Sequence, residues 1–343
     1  MKNFILIFTA LFIFTSVSCS KKQDENSSTQ KLSPDTPLTT KKKDDRTSLN
    51  EPVCFGRWDG KKIIVDDYSK YSANEKLMDS TGMGYELYGN DLKAVIGKYQ
   101  KYDEQKYEYF FDDYKPEFEK YTSFKIGDKI YISASSGVYK AEVKGYYINL
   151  DDMIGAGTIF YAVLNPPPAA KFGENEIVVC SFNSSMKPVN RKGITNRDIQ
   201  SQFKAFILPK LKGIKKTEYD DKGRESVKPV TGLNDEEFRL FEGNFTGSGG
   251  NEFLVSVNLR NDFTNFTSLI FVMDGEGKIL SEMTTLAANS FTFSQAEGIT
   301  DINGDGVMEI ITYDGYYEGG GYNLHKYSGG LYKTITTGFV FGV

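Results

Sequence analysis

Apolar and polar positions change their spacing several times along the chain. Residues 4–17 form one apolar run behind Lys2, from Phe4 to Val17. Fourteen residues are too few to cross a hydrocarbon core of roughly 30 Å, which takes about 20 helical residues. A short apolar core after a positive start, closing on small residues, predicts a signal peptide over 1–18. Residues 20–50 then carry Ser, Thr, Asn, Gln and Lys, with Leu32, Leu38 and Leu49 as the aliphatic positions. Such a segment cannot bury enough apolar surface to offset its ordering entropy, so 19–50 reads as a disordered tether with a reach of roughly 30 Å. Farther on a period of two appears. Val138, Lys140, Glu142 and Lys144 alternate with Tyr139, Ala141, Val143 and Gly145, and Ser135-Ser136-Gly137 supplies a turn, so residues 127–147 predict a hairpin. Residues 158–164 and 176–182 read as two more strands on either side of Pro166-Pro167-Pro168. Helical spacing occurs twice, at Leu92, Val95, Ile96 and Tyr99, and more clearly at Ile199, Phe203, Phe206 and Ile207. The second predicts a helix near 196–208, with Thr195 as N-cap and Pro209 as its stop. Turn signals and Pro229 make 220–234 an interdomain connection, dividing a β-rich domain (51–234) from a second domain (235–343).

The second domain holds an internal repeat. Asn244-Phe-Thr-Gly-Ser-Gly-Gly-Asn-Glu-Phe-Leu254 aligns without a gap on Asp301-Ile-Asn-Gly-Asp-Gly-Val-Met-Glu-Ile-Ile311, an offset of 57 residues (301 − 244). The second copy has carboxylate or amide side chains at alternate positions of a glycine-containing loop, the arrangement that gives calcium its oxygen ligands. Asp301, Asn303 and Asp305 offer side-chain oxygens, Val307 its carbonyl and Glu309 a closing carboxylate. Thr312 stands at the twelfth position and a strand follows, which argues against an EF-hand. The alternative is a solvated turn that holds no ion. In the first copy Asn244, Thr246 and Ser248 replace the acids, so the expectation is one calcium site with a structural role.

Composition narrows the possibilities. The 343 residues carry a net charge of −5, include 22 Tyr, 25 Phe and 33 Gly, and fit a mainly β chain with minor α. The negative balance argues against nucleic acid as a partner. Nine Lys and Arg against one acid in 187–216 suit either an anionic partner surface or a helix that packs on its own domain with its charges solvated. With Cys19 set aside, Cys54 and Cys180 remain: either a disulfide closing the first domain or two buried thiols. One histidine, His325, leaves little room for a Ser-His-Asp or Cys-His device. No Cys-x-x-Cys, His-Glu-x-x-His, phosphate-loop or dinucleotide motif is present. Adjacent acids such as Asp112-Asp113 face opposite ways on a strand, although a glycosidase pair from distant segments stays open. Tyrosine-rich surfaces suit protein or glycan ligands.

Three resemblances carry these readings further. Ser16-Val17-Ser18-Cys19 resembles the lipobox of bacterial lipoprotein signals, with Ser16 in the place usually held by Leu. This implies cleavage before Cys19, lipidation there and anchoring to the cell envelope, at the outer membrane or cell surface. The Gly127-Asp128 opening of the hairpin resembles that of SH3-like barrels. The repeat resembles FG-GAP/VCBS repeats, which implies propeller-blade-like sheets and a calcium loop over residues 235–343. Together they imply an anchored binding protein. The alternatives are an inhibitor of an envelope-directed hydrolase, or a polysaccharide-directed hydrolase with acids not yet paired.

Overall fold

Alternating apolar positions in the first half close into a barrel. Its strands are β1 (Val53–Trp58), β2 (Ile63–Asp66), β4 (Lys129–Ala134), β5 (Gly137–Asn149), β6 (Ile159–Asn165) and β7 (Ile177–Ser181), with β3 (Glu108–Phe111) as an added edge strand. In this computed structural model, which describes residues 52–66, 84–150, 159–262, 264–316 and 319–341, the order β1-β2-β6-β5-β4-β7 returns to β1, every pairing antiparallel. The signal peptide 1–18, Cys19 and the tether 19–50 lie outside the described residues. Cys54, Ile63, Val65, Ile130, Ile132, Ala141, Val143, Leu164, Val178 and Cys180 fill the interior. Burying each branched aliphatic side chain contributes about 1.5–3 kcal/mol. The α1 helix (Gly84–Tyr99) extends the helix predicted from 91–99. It joins β3 and a short 3-10 helix, Pro116–Lys120, over a second core that contains Leu92, Ile96, Tyr109, Phe111, Phe118, Tyr146 and Phe160.

The cysteines meet but are not bridged. Cys54 and Cys180 are register partners across β1–β7, both inside the barrel and both thiols. The Trp58 N–H donates to the Glu176 carbonyl, which continues this register. Hydrogen-bonded pairs recur every second residue, so Cys54 and Cys180 form such a pair. Their Cβ atoms then stand at the wide end of the cross-strand range, farther apart than the roughly 3.8 Å a disulfide prefers. The expected bridge is therefore replaced by two thiols, and burial pushes the Cys180 thiol well above its ordinary value.

The second half is two antiparallel four-stranded meanders. The first comprises β10 (Phe238–Gly243), β11 (Glu252–Arg260), β12 (Phe266–Met273) and β13 (Ile279–Ser290). The second comprises β14 (Phe293–Thr300), β15 (Glu309–Tyr316), β16 (Gly319–Ser328) and β17 (Leu331–Phe341). Phe241, Leu254, Ile270 and Val272 meet Ala296, Ile299 and Ile310 between the two sheets. The α2 helix (Arg197–Ile207) is capped by Asn196 rather than Thr195: the Asn196 side chain accepts from the N–H groups of Asp198 and Ile199. Its apolar stripe, Phe203 and Ile207 with Leu211 beyond, packs on Phe238, Leu240, Val255 and Phe271 of the first sheet. The basic stretch is thus a helix docked on its own protein. It lies on the sheet that follows residue 234, so packing is continuous across the joint expected there. Within 220–234 the chain also makes a strand, β9 (Glu225–Pro229), paired with β8 (Lys215–Tyr219). Phe55, Ile64, Val163 and Val179 on the barrel's outer face share one core with Ile311, Leu324 and Phe339 of the second sheet.

Candidate functional site

The two aligned segments occupy equivalent places. Each loop joins the first strand of its sheet to the second, and the equivalent glutamates of the two copies, Glu252 and Glu309, open β11 and β15. The ten-residue stretch from Asp301 to Ile310 turns tightly because Gly304 and Gly306 adopt φ +74° and +80°, a region that L side chains enter at a cost. At Gly304 space adds a second constraint, since a Cβ there would lie 2.7 Å from the Ser185 side chain.

The second loop is shaped around its acids. Asp301 Oδ1 accepts from the Gly304 N–H at 2.6 Å and the Asp305 N–H at 3.2 Å, and Oδ2 accepts from Gly306 at 3.0 Å. Asp305 Oδ1 accepts from the Val307 N–H at 2.8 Å, and its Oδ2 from the Asn303 amide at 2.9 Å. Glu309 is 0% exposed. Its Oε2 accepts from the Ile302 N–H at 2.9 Å, and its Oε1 has no hydrogen-bond partner. Burial raises the Glu309 pKa to about 7, against the opposing pull of the Ile302 N–H and Lys326. The Lys326 ammonium lies 3.4 Å from Asp305 Oδ2 and 3.5 Å from Glu309 Oε1; the latter is an ion-pair contact without hydrogen-bond geometry.

The first loop, residues 244–251, carries no acid of its own and holds its glutamate with neutral donors. Glu252 accepts from the N–H groups of Phe245 (2.5 Å) and Thr246 (2.7 Å), and from the hydroxyls of Ser248 (2.7 Å) and Thr246. Burial pushes its pKa up, but these donors outweigh burial and the net shift is downward. The loops also touch: Asn244 Nδ2 donates to the Gly306 carbonyl at 3.1 Å, and the Met308 N–H donates to the Asn244 carbonyl at 2.8 Å. A connector from the barrel runs past as well, with the Lys187 N–H on the Asp301 carbonyl at 2.7 Å and Ser133 Oγ on the Lys187 carbonyl at 2.5 Å. Loop 301–309 is thus a junction of barrel, first sheet and second sheet.

Compared with protein-family models, curated proteins and solved structures, the chain matches none. Its site is therefore read from its own residues. Asp301, Asn303, Asp305, Val307 and Glu309 are brought into one loop as their spacing implies. Among the described residues, no three His, Cys, Asp or Glu side chains stand together in a ready metal-binding group. Hard oxygen donors and the buried Glu309 Oε1, which makes no hydrogen bond, nevertheless fit calcium, provided Asp305 and Glu309 turn from Lys326 towards the ion. Sequence reasoning missed Lys326. The signal lay in register: Ile310 pairs with His325, so the next pair outward is Glu309 with Lys326.

Two other features bear on chemistry. His325 is buried, with Thr312 Oγ1 2.9 Å from Nε2 and Thr334 Oγ1 3.1 Å from Nδ1. Burial lowers its pKa to about 4, which suits a neutral ring held in a sheet. On the barrel, most aromatics are core, but Tyr107, Phe110 and Tyr114 are exposed on and beside edge strand β3, and Lys62 Nζ sits 4.2 Å from the Phe110 ring centre.

Proposed function

We propose that this chain is a lipid-anchored protein of the bacterial cell envelope, held at the outer membrane or cell surface through Cys19. It acts by binding a protein or glycan partner, with loop 301–309 as a structural calcium site. The observation that carries the calcium reading is the buried Glu309 carboxylate. One of its oxygens has no hydrogen bond and only a 3.5 Å ion-pair contact to Lys326, in a loop that also contains Asp301 and Asp305, and a buried acceptor left without a full hydrogen bond costs about 1–3 kcal/mol. When bound, the ion supplies positive charge to these oxygens. The residues themselves hold the turn, through the N–H groups of Gly304, Asp305 and Gly306 on Asp301. The role is structural because the loop joins three parts of the fold. Partner binding is supported by the exposed rings of Tyr107, Phe110 and Tyr114 on and beside strand β3, with Lys62 against Phe110, since aromatic side chains of this kind anchor interfaces.

Calorimetric titration with calcium tests the loop. The expected result is one site per chain in the wild type and at least a hundredfold weaker binding after Asp305→Ala; equal heats from both would sink the reading. For the partner, the soluble form from residue 51 onwards is used as bait against envelope proteins and glycans. Capture that a Tyr107→Ala/Phe110→Ala/Tyr114→Ala variant loses is the expected outcome. Sugar release from envelope glycans without capture would favour the hydrolase instead.

A further inference from the structure

We infer that Lys326 is the built-in counter-cation of loop 301–309. Its ammonium takes a place between Asp305 and Glu309 that a divalent ion must contest, holding the loop when no metal is bound and weakening the metal when one enters. The inference rests on the reading of this loop as a cation site and adds the residue that regulates it.

Position, burial and comparison with the twin loop carry it. Register across β15–β16 sets Lys326 opposite Glu309. Lys326 is 4% exposed, and lysine is almost never so buried without paired charge. Its contacts of 3.4 Å and 3.5 Å to the two carboxylates are both longer than the roughly 2.7–2.9 Å of a tight charged hydrogen bond. The ammonium is therefore shared between two acids rather than committed to one, and a compact point charge with no fixed fork is the side chain suited to that place. In the first sheet the register partner of Phe253 is Met273, so the residue opposite Glu252 is Asp274, an acid. There the carboxylate is satisfied by hydroxyl and N–H donors, and no ammonium is supplied. The cation appears where the loop itself carries acids, Asp301 and Asp305, beside the buried glutamate. Three carboxylates against one ammonium still leave the second loop anionic. A divalent ion gains on entry while being repelled by the charge already present.

The test uses the full chain in detergent, titrated with calcium chloride as wild type and as Lys326→Met, together with thermal melts in chelator. Binding at least tenfold tighter in Lys326→Met, with a lower melting temperature in chelator that calcium restores, is the expected result. A wild type that binds no calcium beside a variant that does would support the counter-cation and remove calcium from the native protein. A wild type that binds as tightly as the variant, or more tightly, would overturn the inference and leave the calcium site standing. Binding by neither overturns both. Lys326→Arg keeps the charge and is the second variant: wild-type affinity is expected, and a tenfold gain would count against the inference even if Lys326→Met failed to fold.

Discussion

At the scale of single residues, His325 makes the clearest claim on solution behaviour. Its ring is buried between two threonine hydroxyls and its pKa falls from 6.5 to about 4 because charging it there is costly. A depressed pKa means that the stability it contributes is complete above about 6.5 and is lost as pH falls through about 4. The loss is on the order of 3 kcal/mol, from a difference of roughly 2.5 pH units. Glu309, whose raised pKa of about 7 adds stability as pH falls over the same range, opposes that decline, so chemical denaturation from pH 7.5 to 4 should show it as the difference between wild type and His325→Asn. Because the chain has one histidine, its imidazole proton resonances report the titration directly; a midpoint near 6.5 would refute the burial argument. The same scale shows what could be read in advance. The acids of 301–309 were legible because ligand spacing is local to ten residues. Lys326 was not, because its approach depends on the register between β15 and β16. The helix cap was displaced by one position since Thr195 and Asn196 are both competent caps, and only backbone geometry decides which oxygen reaches the N–H groups of residues 198 and 199.

Among elements, α2 is held by its apolar stripe. Phe203 is buried against the first sheet, its ring centre 4.5 Å from that of Phe253, and the flank of Phe206 lies over the turn at Gly277. Phe203→Ala should cost about 3–5 kcal/mol, the usual range for removing a buried phenylalanine. Urea denaturation checks it, and a loss below 1 kcal/mol would mean that the helix is not part of the cooperative unit. Periodicity found this helix and the hairpin strand β5; β6 and β7 are instead short apolar runs buried on both faces, facing the barrel interior on one side and the core shared with the second sheet on the other. Periodicity missed the β8–β9 ribbon for the converse reason: Glu225–Pro229 is exposed at every position, so no alternation marks it. Cross-strand charge, Lys228 on Glu218 at 3.0 Å, and the buried Lys216 on Glu237 at 2.8 Å tie the ribbon down instead. Those partners are invisible to any pattern of hydrophobicity.

Considered whole, the described residues do not divide at 220–234, where turn signals and Pro229 suggest a connection. Barrel and second sheet share the core that contains Phe55, Val179, Ile311 and Phe339, and the connector residues Met186 and Val189 are buried in it. Scanning calorimetry of the soluble form from residue 51 onwards should therefore show one transition, and Phe55→Ala should lower it without splitting it; two resolved transitions would refute the shared core. The mainly β class was legible from Tyr, Phe and Gly content and from alternation. The joint between parts was not, because it is made by outward-facing barrel residues that look like any half-buried strand face. One contact in that joint has a consequence for the order of events. The Phe339 N–H donates to Asp66 Oδ2 at 2.6 Å, and Phe339 is held there at φ +51°, a conformation that phenylalanine adopts only under constraint. The two residues are 273 positions apart, so this clasp cannot form before residue 339 has been made. The barrel's outer wall stays uncovered until the last strand arrives. Closure of the assembled molecule is thereby deferred until strand β17 is available, and a chain lacking that strand would leave an apolar wall open to other chains.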